Sequence, residues 1–265
     1  MTSLLASIVA SRCAVAVRAA PRVTEQVRST TVRSMSGEQV LLEPDEQMPK
    51  VMLSALPWTV QGSGYVVVLR GAELTDQQLF VPPSLRGKRH GEMISMLFFD
   101  YTSTGCGPYR ELTVAAVFDF GAGQYSSITR AFTSTYDGVA NSRQHWGAPK
   151  DRADIAVERV SDKRDRVQVS RDGTSVAELD LEQSGFSIPV TTAVLPSELR
   201  TMVQHWRGKQ YSLVLNAKGK MRMAKLKNAR FDPRFFPDLS KSSVIAAAYM
   251  PSFEMTLPAA ALRDI

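Results

Sequence analysis

The sequence predicts a mainly β fold, a closed or nearly closed antiparallel β barrel or cone with a few short helices. From about Met48 onward, short runs rich in Val, Ile, Tyr and Phe recur between turn signals at fairly regular spacing, the pattern of an all-β sandwich or barrel. Several runs alternate apolar with polar residues, as at Val167, Val169, Val176 and Leu179, which suits strands with one wet face. Closing such a sheet removes exposed edges and can enclose a ligand cavity.

The expected strands are 64–70 (GYVVVLR), 92–103, 110–120, 125–134, 153–162, 166–173, 175–183, 211–217, 221–231 and 242–250. RDGT (171–174) is a hairpin turn, because Asp-Gly accepts positive φ, and AKGK (217–220) reads as a second one. Helical pieces are expected in LTDQQLFVPPSLRG and in PSELRTMVQHWRG, where Ser197 would cap a helix that Gly208 ends. A third runs through TSTYDGVANSRQHW, weakened by Gly138.

A chain of 265 residues with 44% hydrophobic content can bury a sizeable core, and one domain over 48–262 plus a tail over 1–36 is the simplest division. The tail holds five arginines against the single acid Glu25, which leaves 27 basic and 25 acidic residues in the rest. The body therefore has no electrostatic reason to seek phosphate backbones, and a nucleic-acid partner is not expected. Two cysteines, Cys13 and Cys106, cannot form a disulfide framework within the body, nor a cysteine-rich metal site.

The tail is rich in Arg, Ser, Thr and Ala and has no acid before Glu25, the composition of an organellar transit peptide. The alternative is a disordered extension, with Met35 as a second plausible start. The first reading gives a mitochondrial or plastid destination and the second a cytoplasmic one. Arg12 breaks the apolar run, so stable membrane insertion is not expected.

No GxGxxG, GxxxxGK[ST] or HExxH occurs, and His90, His145 and His205 lie far apart without ligand spacing. Gly, Pro and polar residues cluster instead in STGCGPYRELT (103–113) and SRQHWGAPKDRADI (142–155). With LPWTVQGSGYVVVLR (56–70) and the later FSIPVTTAVLP, DPRFFPDL and YMPSFEMTLP segments, the ordered set resembles the acetoacetate decarboxylase-like superfamily over about 56–258, with a likeness to its eukaryotic branch.

The resemblance implies a β barrel or cone around a mostly closed, apolar pocket, no cofactor, and a homo-oligomer. It also implies a lyase in which a lysine amine forms a Schiff base with a keto acid or related carbonyl compound. Decarboxylation is one outcome; aldol, retro-aldol and dehydration steps use the same iminium. Lys150 in GAPK matches the nucleophilic lysine and Glu111 in GPYRE the pocket glutamate, while Tyr109, Arg110 and Arg143 are the candidates for contacting substrate. Arg143 has a second reading, fixing the Lys150 loop through backbone carbonyls. Asp151 stands where the decarboxylase pattern has a second lysine, and a carboxylate against an amine favours the ammonium, which cannot attack a carbonyl. Successive strand residues point apart, so Asp151 can instead face away. The alternative function is a non-catalytic barrel that binds an apolar small molecule.

Overall fold

The computed structural model describes residues 42–71 and 80–265. The expected tail lies outside them, as does the start of the first predicted helix. Among the described residues thirteen strands form one sheet: β1 Trp58–Arg70, β2 Arg89–Ser103, β3 Tyr109–Asp119, β4 Gln124–Thr133, β5 Lys150–Arg152, β6 Asp154–Ser161, β7 Arg164–Arg171, β8 Thr174–Thr191, β9 Thr201–Trp206, β10 Lys209–Val214, β11 Asn216–Phe231, β12 Ser243–Leu257 and β13 Ala261–Asp264. Helix α1 spans Tyr136–Trp146 and α2 only Ser197–Arg200.

The sheet runs β13-β10-β9-β4-β3-β2-β1-β12-β11-β8-β7-β6, with β5 branching from β4. As a hydrogen-bonded path it is not closed, so of the closed or nearly closed barrel expected from sequence the structure has the nearly closed form. The ring comes back to its starting strand covalently: β5 pairs in parallel with β4 and continues through Ala153 into β6 at the far end of the sheet. Three residues of β5 are too few to hydrogen-bond along the length of β4, so the seam is a short splice. All other pairings are antiparallel except a single parallel contact, Ser126 with Met202, between β4 and β9.

Inside the ring lies the main core. Alternation along β2 and β3 sends Ile94, Met96, Phe98, Leu112, Val114, Ala116 and Phe118 inward, where they meet Val167, Val169, Leu179 and Leu181 from β7 and β8. Burying such a side chain fully stabilises the fold by about 1.5–3 kcal/mol. The opposite face of β2 and β3 is covered too, by α1, β9 and β10, so β3 is buried on both sides.

Two sequence expectations change here. PSELRTMVQHWRG is one helical turn followed by β9, since Val203 and Gln204 are buried in pairing with β10 across a tight turn at Arg207 and Gly208, both at positive φ. That positive-φ pair is the chemistry of a two-residue hairpin. AKGK is no hairpin: it lies within the continuous β11, and a Cβ on Gly219 would sit 2.4 Å from the Ser252 carbonyl oxygen of β12. RDGT turns as expected, with Asp172 and Gly173 at φ 50° and 76°.

One polar contact crosses the ring. Tyr65 on β1 donates to Asp165 on β7 at 2.6 Å, and Arg159 pairs with the other carboxylate oxygen at 2.6 Å. Burial, then the Asp165 bond, pushes the Tyr65 phenol far above its ordinary value. The folded state thus keeps a proton that the unfolded chain releases near pH 10. Its stabilising contribution is present below about pH 10 and is lost as pH rises further, with a slope of about 1.4 kcal/mol per pH unit. Tyr65→Phe is expected to lower stability by about 1–3 kcal/mol at neutral pH and to flatten the alkaline loss. Urea denaturation at a series of pH values measures both.

Candidate active site

The register around β4 places the candidate residues. Thr113 on β3 faces Ala131 on β4, and Ala131 faces Lys150 on β5; two residues along, Glu111 faces Thr133. Paired residues share a face, so Glu111, Thr113 and Lys150 all point to the outer side of the ring. Lys150 Nζ lies 2.5 Å from Glu111 Oε2, and Thr113 Oγ1 donates to Glu111 Oε1 at 2.6 Å. The Lys150 and Glu111 side chains are 8% and 6% exposed.

Asp151 pairs with Phe132 and therefore faces the opposite way, into the end of the ring. It has no solvent exposure and is bound by Arg130 at 2.8 Å, Arg143 at 2.7 Å, Arg171 at 3.4 Å and the Glu43 backbone N–H at 3.0 Å. The carboxylate beside Lys150 in sequence is thus committed to guanidinium groups on the other side of β5. A β-bulge makes room for this: Thr129 is the extra residue between Arg130, opposite Val114, and Ile128, opposite Ala115. The bulge re-aims the strand, sending Arg130 to Asp151 and Ile128 to the outer face. Burial holds the Arg130 guanidinium below its ordinary value despite the opposing pull of Asp151.

Arg143 comes from α1, whose N-cap Thr135 accepts from the Gly138 N–H. Its Nε donates to the Lys150 carbonyl at 2.9 Å, and its Nη1 to the Glu43 carbonyl and to Asp45, each at 2.7 Å. These bonds tie the segment at Glu43 and Asp45 to α1. Gly147 ends α1 at φ 62°, and a Cβ there would fall 2.5 Å from the Tyr211 ring. Only glycine takes this left-handed turn without strain or collision, and the chain then reaches Lys150 in three residues.

The outer face forms a cavity of about 310 Å³ around Lys150 and Glu111. Leu97, Phe99, Ile128, Met202, Leu213 and Met255 are among its apolar wall residues. Tyr101 and Tyr109 add buried phenols that burial, reinforced by Glu111, pushes well above the ordinary tyrosine value. Trp146 anchors one side, its indole donating to Pro258 O at 2.8 Å.

Of the sequence candidates, Lys150, Glu111 and Tyr109 come together in the cavity. Arg110 and Arg143 do not. Arg110 pairs with Asp100 at 3.2 Å and the Ile155 carbonyl at 3.1 Å, and Arg143 lies behind β5 in its loop-fixing role. The arginine in the cavity wall is Arg200, at the end of α2, held by the Leu195 carbonyl and Asn216. Nothing local marks it, because the turn at 197–200 was read as part of a longer helix. Burial pushes the Cys106 thiol up, in keeping with an inert residue. Among the described residues no group of three His, Cys, Asp or Glu is placed to hold a metal, and no helix is long and apolar enough to cross a membrane.

A barrel-like sheet with a buried lysine-carboxylate pair in an apolar cavity defines the class. The acetoacetate decarboxylase (ADC) family profile matches residues 75–210, just over half of the chain, and the chain belongs to that family. A search of curated proteins returns no match. Among solved structures, the chain is similar to acetoacetate decarboxylase from Legionella pneumophila subsp. pneumophila str. Philadelphia 1, with TM-score 0.62, 12% identity, and coverage of 88% of this chain and 98% of that one. It is also similar to an acetoacetate decarboxylase-like enzyme from Sphingomonas wittichii RW1, with TM-score 0.58, 13% identity and coverage of 84% and 99%. The enduracididine biosynthesis enzyme MppR, complexed with pyruvate, gives TM-score 0.55 at 15% identity, covering 80% and 91%. At these identities the likeness is one of fold.

Removing the Asp151 charge leaves the buried Arg130 without a carboxylate partner and Arg143 with Asp45 alone. Asp151→Ala is expected to cost about 3–5 kcal/mol, read from denaturant midpoints. Asp151→Lys, which would create consecutive lysines, puts a further cation among three arginines and is expected to prevent folding. Gly147→Ala is expected to lose about 1–3 kcal/mol through the forced left-handed backbone alone, with more from the Tyr211 collision, in the same assay.

Proposed function

We propose that the protein is a lyase-type enzyme that forms a Schiff base between Lys150 and a keto acid or related carbonyl compound. The observation that carries this reading is the 2.5 Å contact between Lys150 Nζ and Glu111 Oε2 inside a cavity with mainly apolar walls. An amine must be neutral to attack, and Glu111 stands within proton-transfer reach to accept its proton, steadied by Thr113. Asp151, turned away and matched by arginines, does not compete for the ammonium.

In the proposed sequence the neutral amine of Lys150 adds to the ketone carbon, and the carbinolamine loses water, with Glu111 returning a proton to the departing oxygen. The iminium then draws electrons from the adjacent bond. For a β-keto acid the carbon-carboxylate bond breaks, CO₂ leaves, and the resulting enamine takes a proton at carbon before water releases the product ketone and regenerates Lys150. Arg200 is the cavity cation suited to a substrate carboxylate, in place of Arg110 and Arg143, while Tyr109 lines the wall near the pair. The same iminium serves aldol or dehydration chemistry. The family resemblance further suggests a homo-oligomer.

A second reading, non-covalent binding of an apolar molecule, is favoured by the leucine, methionine and aromatic lining. One experiment separates the two. The protein is incubated with a panel of keto acids that includes acetoacetate and pyruvate, reduced with borohydride, and mapped by peptide mass. An adduct on Lys150, missing in Lys150→Ala and formed about 10²–10⁴ times more slowly in Glu111→Gln, is the expected result. A folded protein that no carbonyl compound labels leaves the binding reading in its place.

A further inference from the structure

Behind β5, on the side away from Lys150, lies a second cavity of about 380 Å³ lined by Arg86, Arg130, Arg143 and Arg207, with Glu43 as the one carboxylate-bearing wall residue among the described residues. Glu43 is engaged by the Tyr136 hydroxyl, which donates to it at 3.1 Å. Around the cavity, two carboxylates serve four guanidinium groups: Asp151 binds Arg130, Arg143 and Arg171, and Asp45 binds Arg143 and Arg207. Arg171 has only a distant further contact, 3.8 Å to the exposed Asp172. Arg130 is 97% out of solvent, yet its Nη2 has no hydrogen-bond partner. Its Nε and Nη1 are taken by the Phe235 carbonyl and by Asp151, so the fork has one spare buried donor. An unmatched buried donor costs about 1–3 kcal/mol, and a positive excess in a poorly solvated cleft attracts anions strongly.

From this arrangement we infer a binding site for a phosphate-bearing small molecule. A phosphate monoester carries about −1.5 to −2 charges at neutral pH and offers oxygens at the spacing of guanidinium forks, which suits the excess of arginine over carboxylate. Phe80, Val81 and Trp206 give the cavity an apolar wall for the organic part. The guanidinium groups of Arg207 and Arg143 lie over the Trp206 ring at 5.3 and 5.8 Å. Arg207 sits on the exposed β9–β10 turn at the cavity mouth, where it can meet an incoming anion. The site is separate from the Lys150 cavity, and Arg143 links the two through its bond to the Lys150 carbonyl.

Isothermal titration with inorganic phosphate and with phenyl phosphate tests this at low ionic strength. Saturable binding of both is expected, phenyl phosphate the tighter, with Arg207→Ala weakening phenyl phosphate at least about tenfold. Arg207 is solvent-facing, so this variant keeps the fold. Lys150→Met and Glu111→Gln are expected to retain binding, because the anion does not enter their cavity. The inference is overturned if neither probe saturates, if phenyl phosphate binds no more tightly than phosphate, if Arg207→Ala binds as the parent does, or if binding is lost with Lys150 or Glu111.

Discussion

The parallel splice between β4 and β5 is the constraint on which the rest of the structure depends. By pairing Ala131 with Lys150 and Phe132 with Asp151, it returns the sheet to its starting strand and divides two consecutive charged residues between two faces. A slip of one residue would exchange them, since side chains alternate with period two. Lys150 would then meet the arginines and Asp151 would meet Glu111. Both placements bury like charges together, so electrostatics enforces the register that hydrogen bonding over three residues specifies only weakly.

Asp151 is costly to bury and stabilising only because it is fully matched. Arg130, Arg143, Arg171 and the Glu43 N–H supply charge and hydrogen bonds to both its oxygens. The network ties together β4, α1, β5, β7 and the segment before β1 at one carboxylate. It gives Lys150 a rigid back wall, and Arg143 fixes that wall directly through the Lys150 carbonyl. The apolar cavity on the other face is then free to hold one buried ionisable pair, Lys150 with Glu111, in place of several partly satisfied ones.

Most strands were legible because their alternation and turn chemistry agree: β2, β3, β4 and β7 lie within a residue or a few of their expected limits, and the Asp172-Gly173 turn forms as read. The failures have physical causes. Gly219 was taken for a turn, but glycine in a strand also marks close backbone approach, here to Ser252. The run after Ser197 has helix-forming residues, yet the turn at Arg207 and Gly208 and the pairing with β10 override that propensity. β5 is too short to show any period. In the site, Lys150, Glu111 and Tyr109 were legible through the ordered motifs and Arg143 through its loop-fixing reading, whereas Arg110 turns to Asp100 and Arg200 carried no local mark.

The sequence by itself determined the strand-rich architecture, the family, and the identity of a buried lysine and glutamate, because periodicity and ordered motifs are properties of neighbours along the chain. Only the tertiary structure decided what Asp151 does. Its effect depends on which face of a three-residue strand it occupies and on cations brought from residues 130, 143 and 171. Charge interactions depend on distance through space, and adjacency in sequence sets that distance only loosely when successive side chains leave a strand in opposite directions.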